Sequence, residues 1–203
     1  MRFPILQNPF ILQSMNYYDA KSQEFIDSTL SLDMSALYAE FEPYLKKDAL
    51  ILDLGCGPGR DLKYFNQKYK AIGLEPSKNL ATFARDYSGA EVIESDIQSF
   101  QTDVKLDGIW ACASLLHLKS TELSPVFKKL SQLLKPNGII YTSFKYGDFE
   151  GERSGRYFTD LTEESIMAYL KESGFGIKHF WITEDLRPER GNEKWLNLLI
   201  QNG

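Results

Sequence analysis

Residues Leu50–Leu54, LILDL, form a short apolar run that leads straight into Gly55-Cys56-Gly57-Pro58-Gly59 and then Arg60-Asp61-Leu62. A run of this length suits a strand buried on both faces. Glycines at alternate positions let the backbone take positive φ and come close to a partner. The helix expected next starts with free N–H groups. Strand, glycine turn and helix, in that order, make a device for cradling a nucleotide-like ligand at the carboxyl edge of a sheet.

The same alternation continues along the chain. Further strand-like runs occupy residues 70–75 (KAIGLE), 91–95 (EVIES), 107–113 (DGIWACA) and 138–144 (GIIYTSF). Helix-like stretches fill the gaps at 60–69, 77–87 and 122–134. Strand and helix in alternation predict right-handed crossovers and an α/β, Rossmann-like, doubly wound and mostly parallel sheet. The end departs from this pattern. TEESIMAYLKESGF reads as a helix with Thr162 as N-cap and Gly174 just past its end. FGIKHFWIT and EKWLNLLIQ follow with no helix between them, which predicts an antiparallel C-terminal hairpin. Ahead of the first strand, residues 16–45 carry helical spacing in Phe25, Leu30, Leu37, Phe41 and Leu45. Two helices are expected there, with Ser35 as an N-cap.

The 203 residues fit one domain, with residues 1–47 as an N-terminal helical segment. Apolar residues make up 43%, enough for a packed core. No apolar stretch is long enough to span a bilayer. The N-terminal apolar patch is broken by Pro4, Gln7, Asn8 and Pro9, and a signal peptide is not expected. Two separated cysteines, Cys56 and Cys112, give neither a disulfide framework nor a zinc site, so a cytoplasmic protein is expected. The net charge of −5 and scattered basic residues do not favour a nucleic-acid partner.

The turn admits three ligands. A phosphate-binding loop needs Lys-Ser/Thr, and Arg60-Asp61 stands there instead. A dinucleotide turn needs a third small residue where Arg60 sits, and a pyrophosphate would meet Asp53 and Asp61. Gly-x-Gly-x-Gly after an acidic strand end suits a ligand with a positive amino group. S-adenosylmethionine has an ammonium, a sulfonium and an adenosine, and no phosphate. Glu75, at the end of the second strand, can accept both ribose hydroxyls, and Asp96 beside Ile97 suits the adenine amino group and ring.

On LDLGCGPGRD, IGLEPS, ESDIQSF, DGIWACASLLHL and LLKPNGIIYTSF, in order and correctly spaced, the chain resembles the class I S-adenosylmethionine-dependent methyltransferases, the small bacterial methyltransferase-domain proteins in particular. The resemblance covers residues 14–200. It implies a seven-stranded sheet, a glycine turn (Gly55, Gly57, Gly59) behind the methionine part of the cofactor, ribose at Glu75 and adenine at Asp96 and Ile97. It further implies cofactor contacts from Asp53, Arg60, Pro76, Ser77, Ala113 and Ser114. The N-terminal helices would form a lid, with Tyr17 and Tyr18 touching the cofactor.

Methyl transfer from a sulfonium is an in-line displacement, so the protein mainly supplies position and desolvation. No metal is expected, because His117 and His179 lack ligand spacing. His117 follows the fourth strand, on the ligand edge, and is the candidate general base; it could equally pack in a short helical turn. The fourth-strand loop reads Ala111-Cys112-Ala113-Ser114, without the Asp/Asn-Pro-Pro-Tyr/Phe motif of adenine and glutamine methyltransferases. Cys112 reads as a small apolar filler, Cys56 as close packing and Trp195 as core. Residues 145–160 read as a loop over the acceptor pocket or as a solvated connection. Arg153, Arg156, Tyr157, Arg187 and Arg190 would give a basic mouth for an anionic acceptor, or surface ion pairs with Glu150, Glu152 and Glu189. A small-molecule acceptor is the expected substrate. The alternatives are an RNA nucleoside or protein side chain, a non-catalytic cofactor-binding module, and a dehydrogenase.

Overall fold

A computed structural model describes residues 9–203. The first eight residues, including Pro4, Gln7 and Asn8, lie outside the described residues, so neither the signal-peptide expectation nor the start of the 1–47 segment is addressed there.

Helices α1 (Pro9–Ala20), α2 (Ser22–Thr29) and α3 (Ser35–Phe41) precede strand β1 (Leu50–Leu54). Then come α4 (Arg60–Asn66), β2 (Lys70–Leu74), α5 (Lys78–Ser88), β3 (Glu91–Ile93), β4 (Leu106–Ala111), α6 (Ser120–Leu133) and β5 (Leu134–Lys145). The chain ends with β6 (Glu150–Arg153), β7 (Arg156–Thr159), α7 (Glu163–Leu170), β8 (Phe175–Glu184) and β9 (Lys194–Asn202). Seven strands form one sheet in the order β3-β2-β1-β4-β5-β9-β8. β3, β2, β1, β4 and β5 run parallel, while β9 is antiparallel to both β5 and β8. The doubly wound sheet and the C-terminal hairpin are therefore as the alternation implied.

Local chemistry explains most boundaries. Thr162 caps α7 by accepting from Ser165 N–H, and Gly174, at φ +81°, closes the turn after the helix. Ser77 caps α5 through Leu80 N–H. Four readings are corrected. The N-terminal segment holds three helices where two were expected. Ser35 is the first residue of α3, and its N–H is capped by Asp33 at 2.9 Å. β5 starts at Leu134, because an irregularity between Leu106 and Gly108 lets Leu134 pair with Leu106. Finally, residues 145–160 hold the hairpin β6–β7. Its two-residue turn, Ser154-Gly155, has φ of +50° and +77°, as a twisted hairpin turn requires.

Strands β1, β4, β5 and β9 are buried on both faces, and neighbouring residues of each serve opposite layers, while the edge strand β8 is half-exposed. Leu52, Ile109 and Ile140 pack with Phe127, Leu130 and Ile166 on the α6–α7 side. Ile51, Trp110 and Ile139 pack with Phe41, Phe65 and Ala84 on the α3–α4–α5 side. Inside the second layer sits one carboxylate, Asp61, 6% exposed. It accepts from the Tyr38 hydroxyl at 2.6 Å, from Trp110 Nε1 at 2.8 Å, and from Arg60 Nε and Nη2 at 2.6 and 2.9 Å. Arg60 Nη1 also donates to the Thr29 carbonyl at 3.1 Å. One ion pair thus ties α2, α3, α4 and β4 together. Removing one member of a buried pair strands the others, at a cost of about 3–5 kcal/mol. Asp61→Ala is expected to lose stability on that scale in urea unfolding. A loss below about 1 kcal/mol would show that the Asp61 network does not hold the N-terminal helices.

Candidate active site

A cavity of about 270 Å³ opens at the carboxyl edge of the sheet. Its floor is the glycine turn. Gly55, Gly57 and Gly59 have φ of +71°, +54° and +86°. A Cβ on Gly55 would stand 2.5 Å from Ser114 Cβ, and one on Gly57 would stand 3.1 Å from Phe25 Cε1. Gly59 serves a different contact, because its Cβ would press on the Ala84 backbone of α5. Gly59, rather than the position of Arg60, therefore gives the close approach between neighbouring helices.

Glu75 follows β2 on the cavity wall and is 5% exposed. Its two oxygens accept from Gly57 N–H and Ser77 N–H, each at 2.9 Å. Burial outweighs these two donors and pushes its carboxyl up to about 7. Asp96 accepts from Ser99 N–H and Oγ and lines the cavity beside Ile97. Asp53 lies elsewhere. It is 2% exposed beneath the turn and is not among the lining residues. Leu62 N–H donates to it, its Oδ2 has no hydrogen-bond partner, and burial pushes its carboxyl well up.

The expected site residues Gly55, Gly57, Arg60, Glu75, Pro76, Asp96, Ile97, Ala113, Ser114 and His117 all meet at this cavity. Tyr17, Asp53, Gly59 and Ser77 do not line it. Tyr17 stacks on Arg156 and Gly155, and its neighbour Tyr18 faces the cavity. Ser77 Oγ is occupied by Asp19 at 2.6 Å. Arg60 lines the cavity with its guanidinium already engaged by Asp61 and Thr29.

His117 sits in a short 3₁₀ turn, Leu115–His117. Its Nδ1 is 2.8 Å from the Tyr157 carbonyl, so this nitrogen carries the proton. Nε2 therefore accepts from the Tyr18 hydroxyl, 2.9 Å away. Burial and the nearby Arg156 hold the imidazole down to about 4, against the Tyr157 hydrogen bond. Cys112 lines the cavity with its thiol pushed up to about 12 by burial, which leaves it no nucleophilic character at neutral pH. Trp195, read from sequence as core, is a wall residue whose Nε1 donates to Asp185 at 3.1 Å.

Sequence reading missed the walls supplied by Met15, Phe25, Thr29 and Met34 from the N-terminal segment, and by Lys145 and Asn197 from the C-terminal half. The helical spacing of the first group and the glycine-flanked, arginine-rich stretch before residue 160 were the available signals. Neither says which face turns inward. Of the expected basic mouth, Arg156, Arg187 and Arg190 line the cavity and Arg153 and Tyr157 do not; Arg153 pairs with Asp160 and Arg187 with Asp185. Among the described residues no group of three or more potential metal ligands occurs, and no helix is long and apolar enough to cross a membrane.

The residues fit a donor such as S-adenosylmethionine on the structure's own terms. Ser114 Oγ beside Gly55 is buried without a partner, and the buried Glu75 carboxylate stands on the wall of the same cavity. Comparison with known proteins agrees. Residues 51–138 match a family model described as a methyltransferase domain. Pavine N-methyltransferase of Thalictrum flavum subsp. glaucum is 28% identical over 207 residues, covering 88% of this chain and 57% of that protein. (S)-Tetrahydroprotoberberine N-methyltransferase of Eschscholzia californica is 25% identical over 78% of this chain and 51% of its own length. The chain thus spans little more than half of these relatives. The crystal structure of Burkholderia thailandensis 1,6-didemethyltoxoflavin-N1-methyltransferase, with that compound and S-adenosylhomocysteine bound, superposes with a TM-score of 0.78 at 17% identity, covering all of this chain and 93% of that one. In sequence, residues 51–138 thus match a methyltransferase domain, and in fold the chain is similar to S-adenosylmethionine-dependent methyltransferases of known structure.

Proposed function

We propose that this chain transfers a methyl group from S-adenosylmethionine to a small-molecule acceptor by in-line displacement. The observation that carries the reading is the pairing of the glycine turn with Glu75, bonded to each other through Gly57 N–H on the wall of one cavity. Gly55 and Gly57 would admit the amino-acid part, Glu75 would take the ribose hydroxyls, and Asp96 with Ile97 would flank adenine. Asp53 acts from beneath, holding the turn to α4 through Leu62 N–H. Gly59 and Ser77 keep α4 and α5 in place behind it. Bound S-adenosylmethionine supplies an already activated methyl group on a sulfonium. The protein's part is alignment and exclusion of water, effects that can contribute on the order of 7–11 kcal/mol.

The N-terminal helices supply that exclusion in this reading. Phe25 lies against Gly57, and Tyr18 stands edge-on to Phe25 at 5.0 Å. Asp19 fastens α1 to the start of α5 through Ser77 and Asn79. Residues 9–47 thus act as the described part of a lid. The named relatives transfer methyl groups to nitrogen, which supports a small-molecule acceptor for this chain as well. His117 serves here as a positioning group. Both ring nitrogens are engaged, and the Tyr18 hydroxyl stands where a substrate proton would have to arrive.

Calorimetry is expected to show S-adenosylmethionine binding and no NAD binding. Glu75→Ala should weaken the former by about 1–3 kcal/mol through lost hydrogen bonds; the reverse preference would sink the reading. Ionisation gives a second test. Because the folded protein raises Glu75 to about 7, its charged form is disfavoured, and ligand-free stability falls as pH rises from about 4.5 to 7. Ribose hydroxyls favour the charged form. The Tm gain from saturating S-adenosylhomocysteine should therefore be larger at pH 8 than at pH 5.5, and an equal or smaller gain would contradict the assignment. For His117, NMR titration should give a value below 5. Its contribution to stability, up to about 3 kcal/mol, should be complete above pH 6.5 and lost as pH falls toward 4. A kcat inflection near pH 6.5 that disappears in His117→Asn would restore it as a base.

A further inference from the structure

Arg156 opens β7, directly after the hairpin turn, and lies on the cavity wall. Its guanidinium carbon stands 4.7 Å from the Tyr17 ring centre, 5.6 Å from Tyr18 and 5.0 Å from Phe158. Nη1 donates to the Tyr18 hydroxyl at 3.1 Å. Nε is buried and has no hydrogen-bond partner. Among the described residues no carboxylate pairs with Arg156. The arginines around it differ: Arg60 has Asp61, Arg153 has Asp160 and Arg187 has Asp185. The rings frame a half-buried guanidinium, and its buried Nε is left unused. A buried N–H donor without an acceptor is costly, and planar donors of this kind match a carboxylate.

Charge around the cavity is also divided. The carboxylates Glu75 and Asp96 belong to the half assigned to the methyl donor. The wall after His117 holds Lys145, Arg156, Arg187 and Arg190. Asp185 there is matched to Arg187 and Lys145, Glu193 also pairs with Lys145, and Glu184 is the other acid on this wall. Arg190 has no ion pair among the described residues. The hairpin carrying Arg156 packs on the Leu115–His117 turn and on α1.

We propose that Arg156 binds a carboxylate of the methyl acceptor, so that the acceptor is an organic acid. This rests on the methyltransferase reading of the same cavity. The donor's own amino acid carries the same chemical group, so the experiment separates the two sources. Calorimetry would be run on the complex with saturating S-adenosylhomocysteine, using benzoate and succinate as probes and benzamide as the neutral control. The wild type should bind at least one of the acids and not benzamide. Arg156→Gln should lose tenfold or more in acid affinity at unchanged S-adenosylhomocysteine affinity, and Arg156→Lys should recover part of it. Thermal melting of both variants checks that they fold. Acid affinity unchanged in Arg156→Gln, or a wild type that binds neither acid, overturns the proposal. A variant that loses S-adenosylhomocysteine but keeps 5′-methylthioadenosine, which lacks the amino acid, assigns Arg156 to the donor and overturns it too. A wild type that does not bind S-adenosylhomocysteine refutes the methyltransferase reading instead.

Discussion

The buried charge of Asp61 sets the shape of the molecule around the cavity. A carboxylate taken out of water survives only when its oxygens are fully occupied. Asp61 meets that demand with Arg60, Tyr38 and Trp110, three residues from separate elements. Trp110 is in turn stacked on Tyr141 at 4.0 Å, which carries the constraint into β5. The N-terminal helices therefore sit on the sheet in one register. Their position brings Phe25 to Gly57 and Tyr18 to His117. Apolar packing alone would permit sliding; directional bonds to a buried charge do not.

The half of the cavity floored by the glycine turn is built mostly from backbone. Positive φ at Gly55 and Gly57 turns the chain so that the N–H groups of Gly55 and Cys56 donate to the Leu74 carbonyl and that of Gly57 to Glu75, and both glycines line the cavity. A side chain at Gly55 would collide with Ser114 of the fourth-strand loop. Such a half is stiff and leaves little room for variation. The opposite half is built from side chains of the hairpin β6–β7 and of β5, β8 and β9. A fold can be common to many chains, while side chains of this kind differ from one chain to the next.

Legibility follows the same division. Gly55, Gly57, Glu75, Asp96 and Ile97 were readable because each stands at the carboxyl end of a strand or in the turn after it, and the sheet brings those ends together. Asp53 shows the limit. Its place at a strand end was plain, but whether a carboxylate faces the cavity or the space beneath the turn depends on one alternation of the strand, and it lies beneath. The N-terminal helices were visible by period, yet their inward face was not. Tyr17 and Tyr18 are adjacent, and only Tyr18 lines the cavity. The hairpin β6–β7 was hidden because its first strand, Glu-Gly-Glu-Arg, is polar and exposed, and only the Ser-Gly turn marked it.

By itself the sequence determined the α/β order, the antiparallel closing pair and the chemical class of the donor site. Each depends on local periodicity or on backbone freedom at particular glycines, which neighbouring residues report. Tertiary structure decided what the cavity's other half presents. Arg156 meets Tyr18 across 138 positions, and Tyr18 meets His117 across 99. No local pattern encodes such contacts. Whether an arginine finds a carboxylate, an aromatic frame or water is settled only when distant elements close around it.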